Sequence, residues 1–125
     1  MKNICVVGLG YIGLPTATLL ASSGYRVHGI DVSERAVKSV NAGKIHIVEP
    51  DLEDRVARAV ESGLLRASHK PAAADIFFIC VPTPFKSSEG DPEPDISLVL
   101  DATRSIAPFV KGGDMVILES TSPVG

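Results

Sequence analysis

The 125-residue sequence is short of cysteine (two) and histidine (three), has no excess of basic residues, and contains no apolar run approaching the roughly 20 residues of a membrane-spanning helix. Each shortage removes a class of function. Cys5 and Cys80 lie inside the apolar runs 4–7 and 76–81, where thiols pack as small hydrophobes, so both are expected to be buried and reduced. Neither has the exposed, electropositive setting that lowers a thiol's pKa, which argues against a nucleophile. His28, His46 and His69 stand far apart, with no i, i+4 pair and no carboxylates at ligand spacing, so no metal site is expected. Twelve scattered Lys and Arg against fifteen Asp and Glu give a net charge of −3, with no basic face for nucleic acid. Met1-Lys2-Asn3 runs directly into a strand pattern instead of a signal-peptide core, so the expectation is no membrane association and a cytoplasmic location.

What is present is an ordinary globular composition, 45% hydrophobic and 22% charged, at the length of one domain. Residues 3–7 form a short, unalternated apolar run ending at Gly8, the pattern of a strand buried on both faces of a parallel sheet. A helical pattern follows over 11–23, closed by Gly24, then a second strand over 26–30 closed by Asp31. Ser33 is placed to cap a helix to about Ala42, and Asp51 to cap another over 52–62, with Leu52, Val56 and Val60 as its apolar stripe. Residues 65–68 and 75–81 read as strands three and four. The stretch 83–94, with Pro84, Gly90, Pro92 and Pro94, reads as a long irregular loop. Asp95 then begins a helix to about Ile106, and 115–118 is a fifth strand. Strands alternating with helices predict an α/β fold, a doubly wound parallel sheet of the Rossmann type with strand order 3-2-1-4-5 and helices on both faces.

Gly8-Leu9-Gly10-Tyr11-Ile12-Gly13 fits G-x-G-x-x-G between a strand and a helix. In that setting Gly8 permits the tight turn, Gly10 lets backbone approach a pyrophosphate, and Gly13 allows close helix–strand packing, with the helix N-terminus facing the anion. A glycine-rich turn can also be merely tight. Asp31, about 20 residues on at the end of strand two, is where a carboxylate accepts hydrogen bonds from adenosine ribose hydroxyls and repels a 2′-phosphate, favouring NAD over NADP. The competing reading of Asp31 is a simple Asx turn before the next helix.

Three segments, Gly8-Leu9-Gly10-Tyr11-Ile12-Gly13-Leu14-Pro15, Val81-Pro82-Thr83-Pro84 and Glu119-Ser120-Thr121-Ser122-Pro123-Val124-Gly125, resemble the N-terminal signatures of the nucleotide-sugar 6-dehydrogenases, relatives of UDP-glucose and GDP-mannose dehydrogenase. The segments 46–52, 65–68 and 82–86 are most similar to the members that act on UDP-N-acetyl-D-mannosamine. The resemblance implies oxidation of a sugar C6 alcohol to a carboxylate by two hydride transfers to two NAD, with a cysteine capturing the intermediate aldehyde. It places that cysteine, a lysine and most sugar contacts beyond residue 125, which makes residues 1–125 the NAD-binding domain of a longer, homo-oligomeric enzyme, inactive by itself. Carried onto this sequence, the cofactor contacts are Gly8, Gly10, Tyr11, Ile12, Gly13, Asp31, Val81, Pro82, Thr83 and Thr121. Thr121 is also the catalytic candidate, its hydroxyl near the reacting carbon. Many relatives place a lysine in the first turn after strand two; this chain has Ala36 there, with Arg35 beside it as a substitute or a solvent-facing residue.

Other residues carry less. The 44–50 loop is expected to pack over the sheet edge more than to touch substrate, and the acidic loop 87–95 to be solvated surface whose length would permit a lid. Glu119 is open between a base, a cap and a partner for a cation. Three function classes remain: part of an NAD-dependent oxidoreductase, a free-standing nucleotide sensor, and a flavodoxin-like signalling domain without nucleotide, the last disfavoured by the glycine turn together with Asp31.

Overall fold

The apolar runs become adjacent strands of one parallel sheet. In the computed structural model, which describes residues 2–47, 49–81 and 97–119 and the backbone of 85–86 and 93–94, the strands are β1 (Asn3–Val7), β2 (Arg26–Ile30), β3 (Leu65–Ser68), β4 (Ile76–Ile79) and β7 (Met115–Leu118). Between β4 and β7 lies a small antiparallel ribbon, β5 (Phe85–Lys86) with β6 (Glu93–Pro94). The sheet order is β3-β2-β1-β4-β7, the expected 3-2-1-4-5 when its five strands are counted along the chain. Every neighbouring pair is parallel, with Ile4 beside Val27 on one side and beside Ile76 on the other.

Alternate residues of the strands feed two apolar layers, so each strand must be apolar on both faces. Ile4, Val6, Val27, Leu65 and Ala67 pack with α1 (Gly13–Ser22), α2 (Glu34–Asn41) and α3 (Leu52–Glu61), which contribute Leu14, Ala17, Val37, Val40, Leu52 and Val56. Cys5, Val7, Ile30, Phe77 and Ile79 pack on the opposite side with Ala102 and Ile106 of α4 (Ser97–Ile106), followed by a 3₁₀ turn over Ala107–Phe109. Both thiols are buried, as expected. Among the described residues no helix is long and apolar enough to cross a membrane, and no group of His, Cys, Asp and Glu could hold a metal ion.

Three expectations need correction. Helix α1 begins at Gly13 and not at Tyr11, because residues 11–12 remain in the turn. Asp51 precedes α3 but does not cap it: its backbone is left-handed (φ 62°) and its side chain makes no capping bond. That conformation directs the chain into the helix at the expense of the extended geometry an N-cap needs. The loop 83–94 is not wholly irregular, since β5 and β6 pair across it, and Pro94 is tolerated because the ribbon is only two strands wide. In α3 the buried stripe is Leu52, Val56 and Ala59, with Val60 half-buried beside it. Ser33 caps α2 as predicted, its Oγ accepting from the Ala36 amide at 3.2 Å. The Asp95 cap lies outside the described residues.

Candidate functional site

Strand β1 is flanked by β2 on one side and by β4, which the chain reaches only after β3, on the other, and the crevice above their carboxyl ends is where such sheets bind ligands. A cavity of about 590 Å³ occupies it. Its walls are the glycine turn 8–12, the end of β2 (Ile30, Asp31, Val32), His69 and Pro71 after β3, Cys80 and Val81 after β4, and one face of α4. A second cavity of similar volume lies between α1 and α3, away from the glycine turn.

The three glycines are required for three different reasons. Gly8 has φ +98°, and a Cβ there would sit 2.7 Å from the Cys80 carbonyl oxygen. At Gly13 a Cβ would fall 1.6 Å from the Gly8 carbonyl oxygen, so the helix could not begin where it does. Around Gly10 a Cβ meets nothing within 4 Å: the protein itself does not need this glycine, and the space is left open to a ligand. The amide of Gly8 donates to the Ile30 carbonyl (2.7 Å) and that of Leu9 to Asp31 Oδ2 (2.8 Å), which fixes the start of the turn. The amides of Gly10, Tyr11 and Ile12 have no acceptor among the described residues. Three consecutive unpaired donors at the mouth of a helix with no side-chain cap and no acidic residue in its first turn form an anion cradle.

Leu9 is fully buried and lies against Gly29, where a Cβ would come within 2.8 Å of a Leu9 methyl. The core therefore holds the turn from below. Asp31 receives the Leu9 amide on one oxygen and the Ser33 amide (2.8 Å) on the other. The Asx-type contact is thus present, and it coexists with a place on the cavity wall: each carboxylate oxygen keeps a further lone pair. Arg35 is exposed on the first turn of α2 and does not line the cavity, while Ala36 is buried beneath that helix. Val81 lines the cavity; Pro82, Thr83 and Thr121 lie outside the described residues.

Sequence reasoning missed several wall residues. Val32 is 96% exposed over the cavity, and Leu98, Asp101, Ala102 and Ser105 line it from α4. Their i, i+3, i+4, i+7 spacing was the available signal, but it reads as an ordinary core-facing stripe. Glu119 acquires a role: Oε2 accepts from Thr16 Oγ1 at 3.1 Å, tying the first turn of α1 to the tip of β7, and stands 4.0 Å from Cys80 Sγ. Burial, and secondarily the Glu119 charge, pushes the Cys80 thiol up to about 12; burial pushes Cys5 up to about 11. Both stay protonated at neutral pH, in keeping with packing and not nucleophilic roles. Within the 44–50 loop, Ile45 and Ile47 pack against the core that β1, β2 and β3 form with α1, α2 and α3.

Residues 2–125 match the family model described as the UDP-glucose/GDP-mannose dehydrogenase family, NAD binding domain. The chain belongs to this family. It is 60% identical over 124 residues to a UDP-N-acetyl-D-mannosamine dehydrogenase of Yersinia pestis, covering 99% of this chain and 29% of that protein. It is 56% identical, with the same coverage, to an NDP-N-acetyl-D-galactosaminuronic acid dehydrogenase of Ralstonia nicotianae. Among solved structures, the UDP-N-acetyl-mannosamine dehydrogenase of Staphylococcus aureus superposes with a TM-score of 0.92 at 42% identity, over 97% of this chain and 29% of that one. The chain thus spans under a third of the length of the relatives it matches. As the NAD-binding domain of the dehydrogenase family, it has a site that fits its cofactor: open space at Gly10, three free amides for a pyrophosphate and a carboxylate one strand away.

Proposed function

We propose that this chain is the cofactor-binding part of a nucleotide-sugar 6-dehydrogenase whose substrate is UDP-N-acetyl-D-mannosamine, oxidised at C6 to the uronate with two NAD. The observation that carries the cofactor part is the cradle of Gly10, Tyr11 and Ile12 amides above the N-terminus of α1. Gly8 and Gly13 shape it, and Asp31 accepts from the ribose hydroxyls while holding Leu9 in place. By the family resemblance, Val81, Pro82 and Thr83 would serve the nicotinamide side of the cofactor, and the Thr121 hydroxyl the reacting centre. Arg35 is a solvent-facing neighbour and not a ribose ligand, because it stands off the cavity wall. NAD supplies the hydride acceptor; the residues of this chain bind, orient and exclude. The substrate rests on the 60% identity to the Yersinia pestis enzyme. The 56% identity to the galactosaminuronic acid enzyme supports a second reading, in which a galacto-configured N-acetylated sugar is oxidised.

Calorimetric titration tests the cofactor reading. The chain is expected to bind NAD at least ~10-fold more tightly than NADP, since a 2′-phosphate would face the Asp31 carboxylate. Equal or tighter NADP binding overturns the role of Asp31. The longer protein that contains this domain is expected to form NADH with UDP-N-acetylmannosamine and not with UDP-N-acetylgalactosamine; the reverse preference selects the second reading.

A further inference from the structure

Glu119 follows β7 and does not line the cofactor cavity, yet it joins three elements. Its amide donates to the Ile79 carbonyl at 2.9 Å, which carries the β7–β4 pairing one residue past β7. Its carboxylate reaches past Cys80, whose Sγ is 4.0 Å from Oε2, and accepts the Thr16 hydroxyl in the first turn of α1 at 3.1 Å. Cys80 is itself the neighbour against which that helix starts: a Cβ at Gly13 would lie 3.1 Å from the Cys80 Cβ. The Thr16 hydroxyl behaves unlike its neighbours. Those of Thr18, Ser22, Thr103 and Ser105 donate to carbonyls of their own helices, the usual outlet for a hydroxyl in that setting. Thr16 instead gives its proton to a residue 103 positions away. The bond therefore constrains where the start of α1 sits relative to the ends of β4 and β7. Each of these three places leads into a different cofactor segment: the cradle precedes α1, Val81 follows Cys80, and Thr121 lies two residues beyond Glu119. A dinucleotide has to engage the cradle and the nicotinamide side at once, so it is sensitive to their relative position, whereas a ligand that touches the cradle alone is not.

We propose that Glu119 is a positioning residue: by holding Thr16 it fixes the phosphate cradle against the ends of β4 and β7, so that one dinucleotide can engage the cradle and the nicotinamide side together. The inference rests on the cofactor reading above, and its test separates the two. ADP has the adenosine and both phosphates of NAD and lacks the nicotinamide riboside. The two are titrated calorimetrically into the longer protein that contains this domain and into its variants. In Glu119→Ala, NAD is expected to bind about tenfold more weakly, the scale of one hydrogen bond to a charged group. ADP is expected to stay within about twofold of the parent, because the cradle amides and Asp31 remain in place. Glu119→Gln keeps an acceptor for the Thr16 hydroxyl and is expected to restore NAD binding to within about twofold of the parent. Thr16→Val makes the same break without touching β7 and is expected to match Glu119→Ala. The double variant should be no weaker than either single one, since both remove one interaction. Unweakened NAD binding in Glu119→Ala and Thr16→Val, an equal loss for ADP, or failure of Glu119→Gln to rescue overturns this inference and leaves the cofactor reading standing. Absence of NAD binding to the parent overturns both.

Discussion

Gly10 and Gly13 belong to the same motif and answer to opposite constraints. Gly13 is held by the protein: its Cβ would lie 1.6 Å from a backbone oxygen, so Gly13→Ala must move the helix or the turn. A cost of at least ~3 kcal/mol, the upper range of overpacking, is expected, seen as a melting temperature lowered by about 10 °C. Gly10 meets no such constraint from the described protein. Gly10→Val is expected to melt within about 2 °C of the parent, and addition of NAD, which raises the parent's melting temperature, should leave the variant's unmoved. Stabilisation of Gly10→Val by NAD equal to the parent's would place the phosphate elsewhere. The motif alone indicates that glycines stand at these positions; only the surroundings tell which of them serves the fold. Leu9, formally a spacer, was not readable as a core residue, because its burial depends on Gly29 lacking a side chain two strands' length away in sequence.

Strands were the most readable elements because the central ones are apolar on both faces, and a run such as Ile76-Phe77-Phe78-Ile79 has no other economical fold. Helix ends were less readable. Ser33 caps through its own side chain, a local event visible in composition, whereas Asp51 enters α3 by a backbone rotation that no residue type announces. The β5–β6 ribbon was hidden by its prolines. Strand β7 is one of the two edges of the sheet: among the described residues it pairs only with β4, and Met115, Val116 and Leu118 are 55%, 46% and 56% exposed. An apolar edge of this kind pairs readily with another strand. The 125-residue chain is therefore expected to self-associate with rising concentration in sedimentation, and Val116→Lys to remain monomeric at concentrations where the parent does not. Identical sedimentation of the two would clear β7 of that role.

For the molecule as a whole, the titrating group with the clearest link to stability is His28, on the same sheet face as Ile30. Burial, and secondarily the charge of Arg66 on the neighbouring strand, lowers its pKa below the ordinary 6.5. Its Nε2 is engaged with Ser68 Oγ at 2.7 Å, and Nδ1 is buried without a partner among the described residues. Well above pH 6.5 both folded and unfolded chains hold this ring neutral and it contributes no pH dependence. Below it the unfolded chain takes up a proton that the folded chain resists, so stability falls with pH until the folded ring also titrates. The urea midpoint is expected to drop between about pH 7 and pH 5, and more steeply in the parent than in His28→Gln. Parallel curves would remove His28 from the acid response. The turn at the other end of the sheet has a consequence for motion. Because the amides of Gly8 and Leu9 are already bonded to Ile30 and Asp31, their hydrogens exchange with solvent only when the strand ends open, with or without a nucleotide. Those of Gly10, Tyr11 and Ile12, lacking an internal acceptor, exchange at the rate of open chain until an anion settles on them. Five successive residues thus divide into a rigid seat and a responsive rim, and binding a cofactor should be written in the exchange clock of the rim alone.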